Sequence, residues 1–228
     1  MTETLLGCAA VLLGFTAART LSARLGHPPW ASPVLVTALA MIGALALTGV
    51  PPVRFDAATA PLRWLLGPAL TALALVIDSN RGRLRAQALP VLAAVAGGTL
   101  VGLGSAAGMA RLAGIDGVLR QALVTKTVTT PFTVAIMARV DGPVALAAAL
   151  SVLTGVVGAL LVPVLFRWMR IDGAAQALGI GVSSHIVGTD WLTRRDSAAG
   201  GLSALAFVMT GLVMAVMVPL LWKWVAYG

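Results

Sequence analysis

Apolar positions run along this chain in long stretches, cut by charged residues and prolines rather than arranged as amphipathic stripes. Eight such stretches can be traced. Four are long: residues 32–50, 86–110, 142–166 and 197–222. About 20 consecutive apolar residues cross a bilayer as a helix, so each predicts a membrane span. The other four, residues 5–18, 64–77, 121–138 and 173–189, are shorter or interrupted. Gly67-Pro68 stands near the start of one, and Lys126 and Pro131 lie inside another. The last carries several glycines, two serines and His185. Breaks of this kind free backbone polar groups that lipid cannot satisfy, so they survive only where protein or a water-filled cavity covers them. The pattern predicts an all-α integral membrane protein of about seven to eight transmembrane or re-entrant helices, including broken helices. These form a single polytopic domain over residues 1–228, and the interrupted stretches are where a site is sought.

Composition sharpens this reading. Hydrophobic residues make up 59% of the chain and charged ones 11%, against about 45–50% and about 25% in soluble domains. A soluble fold of this size leaves too much surface exposed to hide so much apolar area. The net charge of +8 comes from arginines placed between apolar runs, where lipid headgroups account for them and nucleic acid is not required. Arg19, Arg24, Arg81, Arg83 and Arg85 favour a cytoplasmic first and third connection. Arg111, Arg120, Arg167 and Arg170 weaken that bias on the later connections. Cys8 is the single cysteine, which excludes an intramolecular disulfide and reads as a buried, inert thiol. Glu3 precedes the first apolar stretch and no Lys or Arg does, so that stretch is expected to be a first membrane helix rather than a cleaved leader.

A repeat runs through the middle of the chain. The stretch 86–110 is followed by Ile115-Asp116-Gly117, then Gln121-Ala122-Leu123, then the polar run 125–131. The stretch 142–166 is followed by Ile171-Asp172-Gly173, then Gln176-Ala177-Leu178, then Ser183-Ser184-His185, roughly 55 residues further on. Candidate repeat units are 86–140 and 142–192. Paired interrupted segments at corresponding positions point to a transporter's binding site.

The first candidate constellation is Lys126, Thr127, Thr129, Thr130 and Pro131. A lysine within a span costs a few kcal/mol unless it meets a cavity, an anion or the interface. From Arg120 it is roughly 9 Å along a helix, so snorkelling is one reading. The other is that Lys126 and the threonine hydroxyls surround an anion, with the half-helix after Pro131 aiming its positive end at the same place. The second constellation is Ser183, Ser184, His185, Gly188 and Thr189. His185 is expected to donate to a carboxylate or carry a proton, while close helix packing is the alternative for the small residues. Ser203, opening the last helix, is expected to pack.

Catalysis is not expected. Ser184 and His185 are neighbours whose side chains diverge, and no G-x-S-x-G elbow occurs. His27 and His185 lie far apart, with no H-E-x-x-H metal motif and no nucleotide-binding loop. No metal, cofactor or direct drive by ATP follows from the sequence.

Several motifs together resemble the LrgB/CidB family. They are Lys126-Thr127-Val128-Thr129-Thr130-Pro131, Asp141-Gly142-Pro143, Leu153-Thr154-Gly155-Val156-Val157-Gly158 and Gly181-Val182-Ser183-Ser184-His185-Ile186-Val187-Gly188-Thr189. Gly200-Gly201-Leu202-Ser203, Thr210-Gly211 and Leu66-Gly67-Pro68-Ala69 complete the likeness from about residue 60 onward. The chain departs from the pattern at Val76-Ile77-Asp78-Ser79, at Phe132-Thr133 and at Arg194-Arg195. The resemblance implies transport of small carboxylates such as glycolate, glycerate or pyruvate, by a fold with inverted repeats and crossed broken helices. It equally implies an antiholin-like regulator of murein hydrolase activity and cell lysis, acting with a small holin-like LrgA/CidA partner. A multi-pass protein of the bacterial cytoplasmic membrane and a homo-oligomer are expected on either reading.

Overall fold

A computed structural model of the chain describes residues 2–227. Every regular element among them is helical. In chain order these are α1 (Thr2–Arg24), a 3-10 turn at Pro29–Ala31, α2 (Pro33–Thr48), α3 (Pro52–Ala58), α4 (Ala60–Arg63) and α5 (Leu66–Ser79). Then come α6 (Arg81–Ala86), α7 (Ala88–Leu112), α8 (Gly117–Leu123), α9 (Thr130–Arg139), α10 (Val144–Trp168), α11 (Gly173–Thr193) and α12 (Ser197–Tyr227). Thr2–Arg24, Ala60–Ser79, Ala88–Leu112, Val144–Trp168 and Ser197–Trp224 have the length and apolar composition to cross a membrane. Exposed leucines cover these helices, among them Leu13, Leu75, Leu100, Leu161 and Leu220. A bilayer, not water, is the solvent such surfaces require. The protein is an all-α, multi-pass membrane protein.

Contacts divide the chain into two compact units, Met1–Thr71 and Ala72–Gly228. In the first, α1 packs on α2 and α3. A Cβ on Gly7 would stand 2.8 Å from that of Ala58, so the missing side chain sets the approach. Cys8 is half-buried rather than buried, and its thiol donates to Ala58 O at 3.7 Å. Pro33 opens α2, where its fixed φ suits the first turn. Gly49 closes the helix at φ 67°, its N–H bonded to Leu45 O.

The second unit contains one arrangement made twice. Helices α7 and α10 are each 25 residues long. Ile115 N–H reaches back to Ala110 O at 2.8 Å, and Ile171 N–H reaches back to Phe166 O at 2.8 Å. Asp116 and Asp172 are both extended, and Gly117 and Gly173 follow at φ 62° and 57°. That positive φ is the conformation glycine adopts without penalty. It turns the chain into α8 in one case and α11 in the other.

The two copies run in opposite directions. Val91 and Val95 of α7 share a cluster with Ala177 and Leu178 of α11, and Gly98 faces Val182, so α7 and the first half of α11 run parallel. Phe166 lies against Gly179, and Ser184 against Gly158, so α10 runs antiparallel to both. Helix α12 begins beside the start of α7, where Leu202 and Leu205 join Val91. It passes Phe132 at Gly211 and ends with Trp222 against Gly142, just before α10. Residues 117–142 therefore leave from the end of α7 and return to that same end of the bundle. Gly200 lies against Thr193 at the end of α11, and Gly201 lies against Arg83 of α6, just before α7, so residues 173–196 also return to the end where they began. The two segments enter from opposite ends.

Candidate functional site

The turning point of the first segment lies between α8 and α9. Its backbone is held by single turns: Lys126 N–H donates to Leu123 O and Val128 N–H to Thr125 O, both at 3.2 Å. Side-chain donors also reach the carbonyls of this non-helical stretch. Thr133 Oγ1 donates to Thr125 O and Val128 O at 3.3 Å, and Ser151 Oγ of α10 donates to Val128 O. Thr129 caps α9 in an extended conformation, and Pro131 follows in its first turn, where a missing N–H does no harm.

The second turning point is one residue. His185 has φ 46° and ψ −135° inside α11, a region nearly reserved for glycine. Ser183 Oγ donates to Gly179 O at 2.7 Å and lies 3.3 Å from Ser184 Oγ. Glycines of α10 make room for this tip: a Cβ on Gly158 would stand 2.6 Å from Ser184 Oγ, and one on Gly155 would stand 3.4 Å from His185 Nδ1. Gly102 does the same in α7, where a Cβ would stand 2.8 Å from Thr127 Cγ2. Each long helix thus receives the tip of its own segment on a glycine.

Both tips border a cavity of about 790 Å³. Its polar lining is Lys126 and Thr127 from the first tip, Ser183 from the second and Thr154 from α10. The rest is apolar or small, including Pro90, Ala94 and Gly98 of α7 and Ala174, Ala175 and Leu178 of α11. Lys126 takes part in no side-chain hydrogen bond or ion pair among the described residues. An ammonium in such a setting has three donors to satisfy and a charge to neutralise.

Of the residues singled out from the sequence, Lys126, Thr127 and Ser183 line the cavity. Thr129, Ser184, His185 and Thr189 are buried and are not part of its lining. Thr130 and Pro131 open α9. Gly188 lets Ser184 and Ile180 approach, and Thr189 Oγ1 bonds Ser203 Oγ at 2.8 Å, so Ser203 packs as expected. Four buried polar atoms around the tips have no hydrogen-bond partner among the described residues: Thr99, Thr125 and Thr127 Oγ1, and His185 Nε2. Buried polar groups are nearly always paired, by protein or by bound solvent or ligand. Thr99 was not singled out from the sequence, and Thr154 only as part of the Leu153–Gly158 motif. Their signal was a hydroxyl inside a long apolar helix, which Ser105 and Ser151 share, and only the packing showed which way each faces. Arg120, grouped by sequence with the connection arginines, is 7% exposed. Its Nη1 lies 3.8 Å from Asp116, and its Nε and Nη2 are unpaired among the described residues.

Fold and cavity define a class: a multi-pass membrane protein with two inward-turning segments around a cationic pocket. The model of the LrgB-like family matches residues 11–224, and the chain belongs to that family. It is 28% identical to the uncharacterized protein YwbG of Bacillus subtilis over 193 residues, covering 84% of this chain and 86% of that one. An uncharacterized Haemophilus influenzae protein is 23% identical over 83% of this chain and 82% of its own. The plastidal glycolate/glycerate translocator 1 of Arabidopsis thaliana is 27% identical over 153 residues, 66% of this chain but 30% of the translocator. No solved structure matches.

Proposed function

We propose that this protein carries small carboxylates across the membrane and is not an enzyme. The observation that carries the reading is the unneutralised ammonium of Lys126 in a cavity between two opposed tips. A carboxylate supplies the missing charge, and charge-assisted hydrogen bonds from Lys126 and hydroxyl groups hold it. Thr127, whose Oγ1 has no partner among the described residues, is the hydroxyl donor free to join Lys126. Ser183 lines the cavity with its own O–H given to Gly179 O, and Thr129, Thr130, Ser184 and Thr189 support the tips. His185 Nε2 has a bond left to make and serves as donor or proton carrier. Glycolate, glycerate and pyruvate are the first substrates to test, because the plant relative is named for the first two.

The two segments act as the broken helices of an inverted pair of repeats, 86–140 and 142–192. Their opposite direction supports alternate opening of the site to the two sides of the membrane. Uptake of labelled glycolate, glycerate and pyruvate into proteoliposomes tests the proposal. Saturable uptake that vanishes in Lys126→Ala is expected. Absence of uptake by the folded protein, with or without a holin-like partner present, overturns it in favour of the lysis-regulator reading.

A further inference from the structure

We infer that the preferred ligand is a monocarboxylate with an uncharged, apolar remainder of several carbons, larger and greasier than a two-carbon hydroxy acid. The inference rests on the carboxylate reading above and deepens it. The cavity is asymmetric along the bundle. Its cation and hydroxyls, Lys126, Thr127, Thr154 and Ser183, gather at the tips, whereas Pro90, Ala94, Ala174 and Ala175 line the part toward the start of α7 and α11. From Pro90 to Gly98 a helix rises roughly 12 Å, so head and mouth are separated by more than the length of a two-carbon acid.

Charge sets the first limit. Lys126 is the one charged residue lining the cavity among the described residues. A second carboxylate would enter apolar walls without a counter-ion, which is costly. Area sets the second. A volume of about 790 Å³, open at the side of the exposed Pro90, Ala174 and Ala175, has room for a ligand of many atoms. The small side chains of Ala94, Ala174 and Ala175 leave room that an apolar tail fills. Full burial of a methylene strengthens binding about fourfold, and because Pro90, Ala174 and Ala175 are themselves exposed the gain there is a part of that.

The test is ligand-induced thermal stabilisation of the purified full chain in detergent, titrated with acetate, propanoate, butanoate, 4-methylpentanoate, glycolate, pyruvate, malonate and succinate. Affinity is expected to rise with each methylene from acetate, by up to about fourfold, and to fall at least about tenfold for the dicarboxylates. Ala175→Phe, at an exposed position, is expected to abolish the gain with chain length, weakening butanoate and 4-methylpentanoate far more than acetate. Stabilisation by glycolate and pyruvate with none by butanoate overturns the inference and leaves the carboxylate reading standing. A chain-length gain that survives Ala175→Phe and Ala94→Phe alike overturns the placement of the tail. Absence of stabilisation by every acid, with an intact thermal transition, overturns both readings.

Discussion

The two tips occupy corresponding places in the second unit and are built differently. The first is an open run of turns between α8 and α9, and side chains of α9 and α10 satisfy its carbonyls. The second is a single strained residue, His185, in an otherwise continuous run of helix. An open loop exposes several side chains at once, which lets Lys126 and Thr127 both reach the cavity. A one-residue kink exposes little: Ser183 lines the cavity while Ser184 and His185 are buried against Gly158 and Gly155. The first tip therefore supplies charge, and the second supplies shape with one unpaired nitrogen. A lysine at the kink would be buried against α10 without a counter-ion, a far greater cost than at the loop.

That contrast can be broken at four points. Lys126→Ala removes the charge and is expected to weaken carboxylate binding by about 10- to 150-fold, the worth of about 1.5–3 kcal/mol for a charged hydrogen bond. Lys126→Arg should retain part of it, and titration by thermal shift reads both. Ser151→Ala removes the donor that α10 gives to Val128 O but leaves that of Thr133 Oγ1 at 3.3 Å, so destabilisation of about 0.5–1.5 kcal/mol is expected. A lowered midpoint of thermal unfolding, with weaker ligand binding in step, checks this. His185→Gly removes the strain of a positive φ, so it should unfold at a higher temperature than His185→Ala, by the equivalent of about 1–3 kcal/mol. Both variants lose whatever the imidazole contributes to uptake, which separates backbone from ring. The smallest effect belongs to Asp190→Asn, beyond the second tip. Its ion pair with Arg194 at 3.0 Å is exposed, and a change under about 1 kcal/mol in stability is expected.

Much of the architecture was legible in the chain because apolar length alone specifies a membrane helix. The stretches 86–110, 142–166 and 197–222 correspond to Ala88–Leu112, Val144–Trp168 and Ser197–Tyr227. The stretch 32–50 became Pro33–Thr48 between Ser32 and Gly49. Residues 5–18 proved to be part of Thr2–Arg24, because Arg19 and Arg24 sit in helix rather than ending it. Gly67-Pro68 stands in the first turn of α5, where proline is tolerated, and the break in that stretch falls just before it, at Trp64-Leu65 between α4 and α5.

Sequence by itself determined that the chain lives in a bilayer, that Lys126 and Pro131 interrupt one segment, and that an Ile-Asp-Gly turn recurs before each polar run. It also carried the motifs of the LrgB family, because those residues are local and chemically distinctive. Tertiary structure alone decided that each interrupted segment returns to the end where it began. Local pattern is the same whether such a segment crosses or turns back, and only contacts such as Trp222 on Gly142 and Arg83 on Gly201 tell the two apart. The same packing chose Lys126, Thr127 and Ser183 for the cavity wall and left His185 out of it. A side chain's access to a cavity depends on neighbours distant in sequence, and no spacing along one helix encodes them.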